Sequence, residues 1–181
     1  MLGGPKVPQL VMHRPHLRDV PAVAPLPAGY RLRPFADPAD VAALAATLAT
    51  AFDEPWDEAR VRRELADAPD VNAVYVVAWH GRPVATASSR SLPDRFPGSG
   101  YVHWVGTDPA HGRRGLASAL LARLLRDFAE RRYADAVLET DDARLPALRT
   151  YLRFGFLPVY AVQGEDQRER WAAIFQRLFA G

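Results

Sequence analysis

The sequence predicts an α/β fold, a mixed β-sheet with helices on both faces. Three observations carry this. Short apolar runs with strand character alternate with helical stripes along the 181-residue chain. The stretch from Tyr101 to Thr140 reads strand, long helix, strand, which calls for a parallel crossover. The stretch from Asn72 to Ser91 reads as two strands around His80-Gly81, which calls for an antiparallel hairpin.

The elements follow in order. Residues 1–28 hold six of the sixteen prolines and show neither helical nor strand period. They are read as a proline-rich arm laid over the domain surface. A domain over 29–162 begins with the alternating strand "YRLRPF". Asp37 and Pro38 suit the cap and first position of a helix whose apolar face carries Val41, Leu44, Leu48 and Phe52. "DEARVRRELADA" is a second, more polar helix closed by Pro69. After the hairpin and the loop "LPDRFPGSG", "YVHWVGTD" is a strand. The next helix places Ala117, Leu120, Leu121, Leu124, Leu125 and Phe128 on one stripe. "ADAVLET" is a strand, "RLPALRTYLRF" a short helix ended by Gly155, and "FLPVYAV" a last strand. Residues 163–181 form an amphipathic helix packed on the domain through Trp171, Ile174, Phe175 and Leu178.

Composition narrows the functions. There is no cysteine, so disulfides and thiolate-held metals are excluded, and a reducing, cytoplasmic setting fits. Net charge is +2 from 23 basic and 21 acidic residues, interspersed, which is not a nucleic-acid-binding field. No apolar run reaches the ~18 residues of a membrane span, and the N-terminus lacks an apolar signal core. The five histidines have no metal-ligand spacing, so no metal is expected.

"HGRRGLAS", residues 111–118, joins strand to helix. A helix N-terminus offers unpaired N–H groups and the positive end of a dipole. Glycines let a phosphate come close, and arginines add charge. The loop therefore reads as a pyrophosphate cradle or as an ordinary connection; it is neither a Walker loop nor a dinucleotide fingerprint.

The segment "WVGTDPAHGRRGLASALLARLL" resembles the acetyl-CoA-binding motif of the GNAT N-acetyltransferase superfamily. Gly115-Leu116-Ala117 and Pro109 fall in register, while Gly112 and Arg113 look transposed against the family's Arg/Gln-then-Gly order. "LETDDARLPALRTYLRFGF" resembles the family's later motif through Ala147, Tyr151, Gly155 and Phe156, with Arg144 where Asn is usual and Thr150 where Leu is usual. The likeness runs from Tyr30 to about Val162.

The resemblance implies a partly splayed sheet and transfer of an acyl group, usually acetyl, from acetyl-CoA to an amine. It implies that Val105, Gly106 and Thr107 hold the donor along the central strand, with the Val105 N–H facing the developing oxyanion. Gly112, Arg113, Arg114, Gly115, Leu116, Ala117 and Ser118 would cradle its pyrophosphate. Tyr151 would return a proton to the departing thiolate. Tyr101 stands where the family often has Glu, so His103, on the same strand face, is the candidate base. Asp141 and Asp142 are candidates for binding a cationic amine, or are loop and cap residues. The acceptor, a small molecule or a protein, would sit among the first two helices, the "LPDRFPGSG" loop and the arm. Trp56 is read as a helix-packing residue. Two other readings stay open: a catalytically silent CoA-binding sensor, and an interaction domain that dimerises through arm and tail helix.

Overall fold

The computed structural model describes residues 8–162 and 164–179; the first seven residues of the expected arm lie outside the described residues. Strands β1 (Leu10–Arg14), β2 (Tyr30–Pro34), β3 (Val71–Trp79), β4 (Arg82–Arg90), β5 (Ser99–Thr107), β6 (Asp135–Thr140) and β7 (Leu157–Pro158) form one seven-stranded sheet. Its order is β2-β3-β4-β5-β6-β1-β7. Among the described residues, only β5 and β6 pair in parallel, joined by the long helix α3 (Leu116–Glu130); the other pairings of this sheet are antiparallel.

Strand alternation divides the core. Tyr75 and Val77 of β3 join the cluster under α3, whereas Val76 between them joins the cluster under α1 (Val41–Phe52) and α2 (Glu58–Val61). The α3 stripe is as expected: Leu120, Leu121, Leu124, Leu125 and Phe128 are fully buried. Each such side chain contributes about 1.5–3 kcal/mol, so α3 is anchored by packing rather than by propensity. Helix α4 (Leu145–Arg153) and tail helix α5 (Arg168–Phe179) join the same cluster through Leu148 and Tyr151, and through Trp171, Ile174 and Leu178.

Four details differ from the sequence reading. First, the supposed surface arm supplies β1, which lies inside the sheet between β6 and β7. Leu10, Val11, Met12 and Arg14 are all buried, so the strand shows no in-out alternation to read. Second, α1 begins at Val41, and Asp37 does not cap it but pairs with Arg62 at 2.9 Å. Asp40, in the cap position, accepts from the Arg33 guanidinium and the Ala36 N–H, each at 2.8 Å. Third, α2 continues as one wider turn over Arg62–Ala66, closed by Asp67 N–H to Arg62 C=O. Fourth, "FLPVYAV" breaks: β7 pairs with β1, while β8 (Ala161–Val162) and β9 (Glu165–Asp166) form a separate ribbon. Pro158 has no N–H to carry the strand onward.

Candidate active site

The site originates in a divergence of two parallel strands. β5 and β6 pair from Ser99↔Asp135 to Val102↔Leu138 and then separate. On its other edge β5 stays with β4, but with an irregularity: Ser88 faces His103, and Thr86 faces Gly106. One extra residue is thus inserted in β5, and Trp104 takes φ +45°. Such a bulge bends its strand, here away from β6. A cavity of about 660 Å³ fills the opening.

Its floor carries Tyr101, His103 and Val105 of β5 and Glu139 of β6. Tyr151 of α4 and Arg144 at its N-cap form one wall, and Phe52 of α1, Glu54 between the helices and Arg60 of α2 form the other. Pro8 and Gln9 also line it. Residues of the first helices and of the N-terminal segment thus line this cavity. The "LPDRFPGSG" loop reaches it indirectly, since Arg95 donates to Glu139 at 2.7 Å and Phe96 stacks on Tyr101.

The titratable groups have distinct environments. Burial pushes the Tyr151 phenol up to about 12, with Arg144 pulling weakly the other way. It therefore stays an O–H donor at neutral pH. Burial, and secondarily Arg90, pushes His103 down to about 3. Its imidazole is neutral at pH 7, but so low a basicity suits it poorly to take up a proton. Tyr101 is raised well above its usual range by burial and by Glu139, to which its hydroxyl donates at 2.8 Å.

Glu139 is the residue the sequence reading missed. It lines the cavity one step beyond the last β5–β6 pair, braced by Tyr101 and Arg95. The available signal was a carboxylate in the otherwise apolar strand "AVLET". Of the two aspartates proposed for an amine, Asp141 lines the cavity. Asp142 is taken by Arg170 of α5, whose Nε lies 3.2 Å away. Trp56 is a packing residue, as expected: it is buried edge-on to Trp104, under the Arg60 guanidinium.

The residues expected to bind the donor lie along the far half of β5 and beyond it. Gly106 is needed for packing, because a Cβ there would come within 2.7 Å of Phe52. Thr107 Oγ1 is buried with no partner among the described residues. After Thr107, Asp108 caps a short turn over Pro109–His111. Gly112 is not in a left-handed conformation, whereas Arg113 (φ +58°) and Gly115 (φ +76°) are. Gly115 opens α3 with no side-chain cap, so the first-turn N–H groups of Leu116, Ala117 and Ser118 have no capping oxygen. The arginines act differently from one another. Arg114 donates to the Ala110 and Gly112 carbonyls, bracing its own loop; Arg113 is exposed. A third, Arg153 at the end of α4, reaches Ser118 Oγ at 2.6 Å and brings a cation to this helix start from the next motif. Among the described residues, no group of three His, Asp or Glu side chains could hold a metal, and no helix is long and apolar enough to cross a membrane.

The profile of the acetyltransferase (GNAT) family matches residues 41–156. A mycothiol acetyltransferase of Mycolicibacterium paratuberculosis is 30% identical over 181 residues, covering 86% of this chain and 55% of that protein. The N-alpha-acetyltransferase RimI of Mycobacterium tuberculosis is 36% identical over 121 residues, covering 63% of this chain and 73% of that one. The chain thus spans about half the length of the mycothiol acetyltransferases it matches. A GCN5-related N-acetyltransferase from Sphaerobacter thermophilus shares the fold, with TM-score 0.64 at 22% identity over 84% of this chain and 49% of that one.

Proposed function

This chain belongs to the acetyltransferase (GNAT) family, and we propose that it transfers an acetyl group from acetyl-CoA to a primary amine by direct attack in a ternary complex. The observation that carries the reading is the parting of β5 from β6 with the Tyr151 phenol in the cavity it opens. The donor fits the residues present. Among the described residues, the β5 backbone from Val105 to Thr107 has no β6 partner, Thr107 Oγ1 lacks a hydrogen bond, and α3 starts without a side-chain cap behind a glycine. These are the groups a pantetheine arm and a pyrophosphate require.

The roles follow from chemistry. The amine nitrogen attacks the thioester carbonyl carbon, and the charge that develops on oxygen is met by the Val105 N–H. As the C–S bond breaks, sulfur takes the Tyr151 proton. The amine must shed a proton of its own. His103 is the sequence candidate, but its depressed basicity favours Glu139 for that role, directly or through water. The braced carboxylate would also hold the amine while it is still an ammonium ion. The acceptor is a small-molecule or protein amine; the relatives are named for a small molecule (mycothiol) and for an N-alpha position.

Thermal denaturation with acetyl-CoA at ~100 times its dissociation constant should show about 2.7 kcal/mol of stabilisation, or roughly 5–10 °C. Thiol release across an amine panel then reads transfer. No stabilisation at millimolar acetyl-CoA sinks the donor site. Stabilisation without thiol release from any amine leaves a CoA-binding module in place of a transferase.

A further inference from the structure

We propose that Arg144 makes this a site for reactants that carry a carboxylate close to the reacting centre. The proposal deepens the acetyltransfer reading and rests on it. Arg144 begins α4, where the resembling motif usually has Asn, and its side chain lines the same cavity as Tyr151 and Glu139. Its guanidinium lies 4.2 Å above the Phe52 ring, which fixes the plane of the fork across the cavity wall.

What sets Arg144 apart is its unused donors. Arg60, on the facing wall, is fully engaged: it donates to Glu64, Glu54 and the Pro55 carbonyl. Arg95 is committed to Glu139 and Arg90 to Asp70. Arg144 makes no side-chain hydrogen bond among the described residues, and its nearest carboxylate, Asp141, stays 3.6 Å away. Asp141 is itself more than half exposed and accepts from Gln9 instead. So weak, water-facing a pair yields readily to a better-placed anion. A half-buried planar fork with five N–H donors, facing a cavity, matches a carboxylate bidentately. Glu139 supplies the opposite charge in the same cavity, for an ammonium.

Two reactants could bring the carboxylate. The acceptor could be an α-amino acid or similar zwitterion, its amine toward Glu139. The donor could be the CoA thioester of a dicarboxylic acid. Two arms separate them. Thiol release is measured with acetyl-CoA on matched pairs of an L-amino acid and its decarboxylated amine (phenylalanine and phenethylamine, lysine and cadaverine). It is measured again with one neutral amine, comparing acetyl-CoA with succinyl-CoA. The wild type should prefer the carboxylate-bearing member in one arm. Arg144→Gln should shrink that preference by about 10- to 100-fold, and Arg144→Lys by less, since a lysine keeps charge but not the fork. Because the readout is a ratio, a general role in folding or in assisting Tyr151 cancels from it. The same ratios are taken as dissociation constants by calorimetry. Loss of turnover with every pair therefore overturns the transferase reading alone. The absence of a carboxylate preference in both arms, or one that survives Arg144→Gln, overturns this proposal.

Discussion

Gly115→Ala separates the cost of a strained helix start from the loss of an anion site, because the fold supplies its own control. Gly115 and Gly98 have nearly the same backbone, φ +76° and φ +78°, and a Cβ at either meets nothing within 4 Å. They sit beyond opposite ends of β5: Gly98 just before it, Gly115 at the start of α3. An alanine held in the left-handed region costs about 1–2 kcal/mol. In a chain of this size that is roughly 2–8 °C of melting temperature, and the two variants should lose about the same. Binding should part them. The methyl at Gly115 stands at the uncapped amides of α3, and displacing one charge-assisted hydrogen bond there is worth about 1.5–3 kcal/mol, or roughly 10- to 100-fold in affinity. Calorimetric titration with CoA, beside thermal melts of both variants, reads both quantities. Gly115→Ala should bind CoA at least tenfold more weakly, with Gly98→Ala matching the wild type. Equal dissociation constants in the two variants would refute the assignment of this loop to a phosphate.

Three further outcomes follow from the cavity. Tyr151→Phe should lower turnover by about 10²-fold or more while CoA affinity holds, measured by thiol release and calorimetry; unchanged turnover ends the acid assignment. Glu139→Gln should raise the amine KM and lower turnover, whereas His103→Asn should change turnover much less; the reverse order restores the histidine as base. His103 also has a stability signature. Its pKa falls from 6.5 in the unfolded chain to about 3 in the folded one. Below pH 6.5 the unfolded chain gains a proton that the folded chain refuses. The stabilisation is therefore complete above pH 6.5 and declines toward pH 3, by up to about 1.4 kcal/mol per pH unit. Urea midpoints at pH 7 and pH 5 should fall less in His103→Asn than in the wild type, and parallel declines would show that the imidazole titrates freely.

The outline of the fold was legible because its strongest elements declare themselves locally. The α3 stripe, the His80-Gly81 hairpin and the Gly155 stop each rest on periodicity or turn chemistry within a few residues. The residues proposed to bind the donor drew notice for the same reason, as they form two compact motifs. What stayed hidden depends on long-range partners. Glu139 becomes a site residue only because the β5 bulge at Trp104 opens the strand pair beside it. Arg153 serves the start of α3 only because α4 returns to it. Neither relation leaves a mark at its own position in the sequence.

The N-terminal segment shows what such a blind spot conceals. Five residues flanked by prolines, buried on both faces, offer no alternation, so "LVMHR" reads as arm. In the fold it separates β6 from β7 and carries Arg14 to the end of α4. There Arg14 is buried, its pKa lowered by desolvation, and it donates to the Phe154 and Arg18 carbonyls. Phe154 lies three residues beyond Tyr151, where the last carbonyls of α4 need donors. A cation at a helix C-terminus also opposes the negative end of its dipole. The segment read as peripheral thus fixes the helix that presents the proposed acid. Its neighbours Pro8 and Gln9 line the same cavity as that acid. The turn around Gly155 closes α4 on its own backbone, with Gly155 N–H donating to Leu152 C=O and Phe156 N–H to Tyr151 C=O; Arg14 adds the donor for the Phe154 carbonyl beyond it, from a strand that no local pattern announced.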